Sequence, residues 1–141
     1  RTADSMHLLS QVGLHALAHR PCTTLSYADL KRLELALALA TATGKGQAHV
    51  LLMDEPTAGM AAPERMALMA LVQQLVREQQ LGVLFTEHSM DVVFGFADRV
   101  LVMVRGRVLA EGTPDDVRRN PEVQAHYLGH GPLDPAPKGR A

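Results

Sequence analysis

Two short apolar runs constrain the fold most. Val50-Leu51-Leu52-Met53 and Val83-Leu84-Phe85-Thr86 are bounded by polar residues, and between them residues 64–80 carry Leu68, Leu71, Val72 and Leu75 at helical spacing. Each run has the length and continuity of a strand buried on both faces. A strand, a helix of about 17 residues and a second strand form the βαβ unit of a parallel sheet. The fold class expected is therefore α/β, with a parallel sheet core flanked by helices. Pro63 suits the first turn of the intervening helix, and Gly82 is expected to stop it.

The remaining segments predict mostly local structure. Residues 4–18 read as a helix whose apolar positions, Met6, Leu9, Val12, Leu14 and Leu17, are only loosely periodic. A Leu- and Ala-rich helix is expected from Ser26 to about residue 42, ending before Gly44 and Gly46. A short helix over residues 90–96 leads to β segments at 99–104 and 107–111, joined as a hairpin at Arg105-Gly106. Thr113-Pro114-Asp115-Asp116 and Asn120-Pro121 each open a capped helix. Residues 1–129 are expected to form one domain portion. Residues 130–141, dominated by Gly, Pro and charge, are expected to be a disordered tail.

Composition narrows the function classes. The 141 residues carry 14 basic and 15 acidic side chains, for a formal net charge of -1. That balance gives no reason to expect a nucleic-acid or membrane-surface partner held by bulk electrostatics. A single cysteine excludes an internal disulfide. No apolar run approaches the roughly 18 residues that span a bilayer. Arg1 stands where an initiating methionine would, which fits a portion of something longer.

The chemistry concentrates where the strands end. Asp54 and Glu55 follow the first run directly, and ligands of open α/β sheets bind at that end of the strands. Adjacent strand residues point opposite ways, so the two carboxylates are expected to serve different roles. One can hold Mg²⁺ through water, because Mg²⁺ prefers oxygen ligands and keeps much of its hydration. The other can orient or deprotonate a water. Alone, the pair could equally be an acidic strand-to-loop junction without chemistry. His88 ends the second run at the corresponding place, which favours a site over that plainer reading.

Together these residues resemble the ATP-binding subunits of ABC transporters. Asp54-Glu55 is similar to the Walker B motif, His88 to the switch histidine, and Ala58-Gly59-Met60-Ala61 occupies the D-loop position. Leu25-Ser26-Tyr27-Ala28-Asp29 occupies the signature that opens a helical subdomain. The resemblance covers about residues 5–129. Tyr27, the Thr-Ala-Gly-Met loop and Glu-Gly-Thr-Pro near the end look most like the branched-chain amino acid or urea uptake subfamily. It implies the C-terminal part of a P-loop NTPase domain in an importer for a small polar solute, using ATP and Mg²⁺. By the same resemblance Asp54 organises Mg²⁺ through water, Glu55 is general base, and His88 holds the γ-phosphate. Ser26, Tyr27 and Ala28 would bind the ATP of the opposite subunit. The implied partners are a second ATP-binding subunit, identical or not, and transmembrane permease subunits, with no nucleic acid. The implied place is the cytoplasmic side, peripheral on the inner face of the cell membrane.

Departures from the pattern carry information too. The usual signature reads Leu-Ser-Gly-Gly-Gln; Tyr27, Ala28 and Asp29 replace its last three residues. Ala28 adds a methyl where glycine allows the closest phosphate approach. Ala61 stands where an acidic or amide residue is common. No Gly-x-x-x-x-Gly-Lys-Ser/Thr occurs, and Lys45 in Gly44-Lys45-Gly46 precedes a strand instead of following one. The resemblance places the phosphate loop upstream of Arg1, so this stretch alone is expected to be inactive. Ser26-x-x-Asp29 is also a plain capping box, compatible with an anion site at the same helix start. Two alternatives stand beside the importer: a non-catalytic dimerisation or docking module, and a soluble non-transport ABC ATPase. His15, His19 and Cys22 lack a fourth ligand at useful spacing for a metal.

Overall fold

A computed structural model describes residues 2–42 and 50–128. Gly44, Lys45, Gly46 and the expected tail at 130–141 lie outside the described residues. The chain divides into two compact units, residues 1–88 and 89–141.

The first unit holds α1 (Thr2–Gln11), α2 (Tyr27–Ala42), β1 (Val50–Asp54), α3 (Ala62–Gln79) and β2 (Gly82–Thr86). β1 and β2 pair in parallel, from Val50 opposite Gly82 to Asp54 opposite Thr86. The βαβ expectation therefore holds, with α3 as the crossover. The core is built from Val12 and Leu14, Leu35, Ala36 and Leu39 of α2, Leu51 of β1, Met60, and Leu68, Val72 and Leu75 of α3. Met69 is buried as well, whereas Met66 is exposed.

Three expectations are corrected. The first helix does not run over 4–18: α1 ends at Gln11, Gly13 turns the chain at φ +74°, and a 3-10 turn follows at His15–Leu17. Two pieces offset by a glycine turn explain the loose periodicity, since Val12 and Leu14 reach the core from the turn itself. The described residues do not bury the strands on both faces. Leu51 is buried, but Val50, Leu52 and Leu84 are 59%, 71% and 66% exposed. Among the described residues the helices cover one face of this two-stranded sheet, so burial alternates with the pleat. Finally, Gly82 does not stop α3 but opens β2. The stop is Gln80, left-handed at φ 53°, two residues earlier.

The second unit holds α4 (Met90–Phe96), β3 (Val100–Val104), β4 (Arg107–Gly112), α5 (Pro114–Arg119) and α6 (Pro121–Val123), followed by a π-helical turn at Gln124–Leu128. β3 and β4 form the expected hairpin, with Val104 opposite Arg107. Arg105 and Gly106 both take positive φ, 49° and 77°, as a two-residue primed turn requires. At the open end of the hairpin, away from the turn, Arg99 and Glu111 pair at 2.6 Å. Thr113 and Asn120 cap α5 and α6 through backbone N–H groups of Asp116, Glu122 and Val123. Val100, Val117 and Val123 form the small core of this unit.

Candidate functional site

Parallel register sets the site. Asp54 and Thr86 are partners at the C-terminal ends of β1 and β2, so the residues that follow, Glu55 and Glu87-His88, leave the sheet side by side. The Thr86 hydroxyl donates to Asp54 Oδ1 at 2.5 Å. The Glu55 amide donates both to the Thr86 carbonyl and to its hydroxyl oxygen, each at 3.1 Å. Glu55 itself is left-handed, at φ 43°. For a residue with a Cβ that conformation costs on the order of 1 kcal/mol, and it persists only where neighbours over-determine it.

The twist at Glu55 separates the two carboxylates. Asp54 faces Thr86, whereas Glu55 Oε1 lies 2.8 Å from His88 Nε2, 33 residues on in the chain. An ionised carboxylate can only accept, so an Nε2–H of the ring would be the donor. Glu55 and His88 are both substantially exposed, at 46% and 81% of their side chains, so the pair faces solvent and not the core. A hollow lined by Lys31, Glu34, Leu52, Asp54 and Pro56 includes neither Glu55 nor His88 in its lining.

Sequence reasoning had not singled out Thr57, Thr86 or Glu87. Thr57 is a buried polar side chain, 1% exposed. Its N–H donates to Glu87 Oε1 at 3.0 Å and its hydroxyl donates to the same oxygen. Glu87 Oε2 accepts the His88 N–H at 3.2 Å. The available signal was a threonine and a glutamate flanking the two strand ends, but their pairing depends on the β1–β2 register.

The signature segment is placed as follows. Ser26 precedes α2, and its hydroxyl accepts the Asp29 N–H at 3.2 Å while donating to Asp29 Oδ2 at 2.7 Å. This is the expected cap, with the carboxylate returning to the hydroxyl. Tyr27 reaches the loop after β1, where its hydroxyl donates to the Ala58 carbonyl at 3.0 Å. Ala28 is half-buried, and its methyl packs against the core cluster. Asp54, Glu55 and His88 thus meet in one cluster, and Tyr27 joins the adjoining loop. No described hydrogen bond links Ser26 to that cluster. Ala61 caps α3 with no side-chain acceptor; Glu64 Oε2 instead accepts its N–H at 3.3 Å.

Comparison with known proteins finds clear likenesses. The chain is 38% identical over 121 residues to the high-affinity branched-chain amino acid transport ATP-binding protein LivG of Escherichia coli, covering 86% of this chain and 46% of LivG. It is 38% identical over 123 residues to BraF of Pseudomonas aeruginosa, covering 87% of this chain and 46% of BraF. Over most of its length the chain is similar to ATP-binding proteins of ABC transporters. A family model described as branched-chain amino acid ATP-binding cassette transporter matches residues 107–132. The solved ATP-binding cassette MJ1267 in its ADP conformation superposes with a TM-score of 0.78 at 29% identity, covering 91% of this chain and 50% of that one. CbiO1 of Clostridium perfringens superposes at 0.75, also at 29% identity, over 89% and 48%. The fold is that of these ABC ATPase domains, and the chain spans about half the length of the curated relatives it matches. Among the described residues no helix is long and apolar enough to cross a membrane.

Proposed function

We propose that the protein carrying this chain is the ATP-hydrolysing subunit of an ABC importer for branched-chain amino acids or a similar small polar solute. The observation that carries the reading is the 2.8 Å Glu55–His88 pair beside Asp54, at the C-terminal ends of two parallel strands. The names of LivG and BraF and the family profile support the solute class.

The donor set fits Mg²⁺. Asp54 is an exposed carboxylate steadied through one oxygen by Thr86. Among the described residues no group of three or more His, Cys, Asp or Glu could cage a metal. The exposed Asp54 carboxylate suits an ion whose other ligands are waters and phosphates. Bound there, Mg²⁺ would neutralise charge on the transferring phosphoryl group. Asp54 would hold its hydration shell. Glu55 would accept the proton of the attacking water. His88 would donate a hydrogen bond to the γ-phosphate, which requires it to release Glu55. Ser26, Tyr27 and Ala28 open α2, whose first N–H groups would face the phosphates bound to a second ATP-binding subunit. Transmembrane permease subunits would place the assembly on the inner face of the membrane.

The test is hydrolysis of Mg-ATP by the full-length native protein, compared with Glu55→Gln. The amide is nearly isosteric but cannot take the proton, so turnover should fall by about a hundredfold or more while nucleotide affinity is kept. A wild-type protein that binds its partners yet never hydrolyses ATP would instead mark a docking module.

A further inference from the structure

We infer that Glu87 is a positioning residue that clamps the Thr57 loop to the His88 segment and so sets how Glu55 and His88 meet. The inference rests on the reading of Glu55 and His88 as the reacting pair. The two oxygens of Glu87 serve different segments: Oε1 takes both donors of Thr57, and Oε2 takes the His88 N–H at 3.2 Å. Thr57 is buried, so its two donors have a strong need for an acceptor. Glu55 lies between two such fastenings. Thr86 holds its amide on the entering side, and Glu87 holds Thr57 two residues beyond it. A left-handed Glu55 needs restraint on both sides, and the Glu87 carboxylate provides the second.

The chemistry requires a carboxylate. Both oxygens must accept at once. A glutamine offers one acceptor and one donor, so either Thr57 or the His88 amide would face an N–H group. Glu87 touches neither of the proposed reacting atoms, Glu55 Oε1 and His88 Nε2, through any described hydrogen bond. It acts through the backbone on either side of them.

Two measurements on the full-length native protein test the clamp. In the first, Glu87→Gln should slow ATP hydrolysis by about tenfold or more with Mg-ATP affinity changed by less than about twofold. Thr57→Val should act in the same direction, and Thr57→Ser, which keeps the hydroxyl, should restore most of the rate. On a His88→Ala background Glu87→Gln should slow hydrolysis by less than about twofold, because the two act as a unit. An unchanged rate in Glu87→Gln, or a full additive loss on the His88→Ala background, overturns the inference. The second measurement needs no hydrolysis and separates this idea from the reading it rests on. Amide exchange at Thr57 or at His88 should speed up by about tenfold in Glu87→Gln. Protection unchanged at both amides overturns the clamp even if the protein is an ATPase. Lost protection in a protein that hydrolyses nothing upholds the clamp and sinks the functional reading.

Discussion

The hydroxyl of Tyr27 donates to the carbonyl oxygen of Ala58 at 3.0 Å, joining the first residue of the signature helix to the loop that follows the paired carboxylates. Beneath the phenol lies Gly59, at φ +76°. A Cβ there would stand 3.6 Å from the Tyr27 hydroxyl oxygen, an ordinary contact, so the glycine is required by its backbone conformation more than by space. Tyr27 thus has a task inside its own chain besides the role proposed for it toward a second subunit.

Tyr27→Phe removes that bond and the hydroxyl's interaction with Lys31. Tyr27 is about half exposed, so the stability cost should be small, about 0.5 kcal/mol. Gly59→Ala should cost more, about 1 kcal/mol, because alanine resists positive φ. Chemical denaturation of both variants checks the order; a costlier Tyr27→Phe would mean the hydroxyl contributes more than one half-exposed hydrogen bond.

Asp54 and Glu55 have different partners, so their variants should differ. Glu55→Gln should keep Mg-ATP affinity and lose turnover, whereas Asp54→Asn should shift the Mg²⁺ dependence to higher concentration. Titrating Mg²⁺ against binding and rate in the full-length protein separates them, and matching losses of nucleotide affinity would refute the division.

His88 is 81% exposed, so it contributes little to packing. His88→Ala should change the melting temperature by no more than about 2 °C while cutting the ATPase rate strongly. A large fall in melting temperature would reassign His88 to a structural role.

At the start of α2, Ser26→Ala removes the acceptor for the Asp29 N–H and should cost about 1 kcal/mol. Asp29→Asn keeps a polar partner for the Ser26 hydroxyl and should cost less than that. Ala28→Gly should also destabilise, by about 1 kcal/mol, since the methyl packs on the core and glycine weakens a helix. Denaturant midpoints at constant m-value give these costs directly.

The cap of α5 predicts a pH dependence. Asp116 is held below its ordinary value of 3.8, first by the Thr113 hydroxyl and then by the Thr113 amide. A folded carboxylate with a lowered pKa stabilises fully above its unfolded value, and the benefit fades as pH falls through the folded one. Thr113→Ala should therefore narrow the gap in stability between pH 6 and pH 3, besides costing about 1 kcal/mol at neutral pH through the lost cap. Melting curves at the two pH values decide it; an equal gap in both proteins would remove Asp116 from the account.

Local signals were legible in the chain itself. The βαβ unit follows from two apolar runs and a helical period, the hairpin from Arg105-Gly106, and the caps from Ser26, Thr113 and Asn120, because each signal acts within a turn or two of its own residues. The Asp54, Glu55 and His88 positions were marked by standing at strand ends. Tertiary structure alone decided what lies across the sheet. Glu55 meets His88, Thr57 meets Glu87 and Tyr27 meets Ala58 over separations of 30 to 33 residues, which only the β1–β2 register and the docking of α2 establish. It also decided which strand face is covered, since a continuous apolar run reads alike whether one face or both are buried. The left-handed turns at Glu55 and Gln80 had no glycine to announce them; such conformations are imposed by surrounding contacts, not by the residue's own preference.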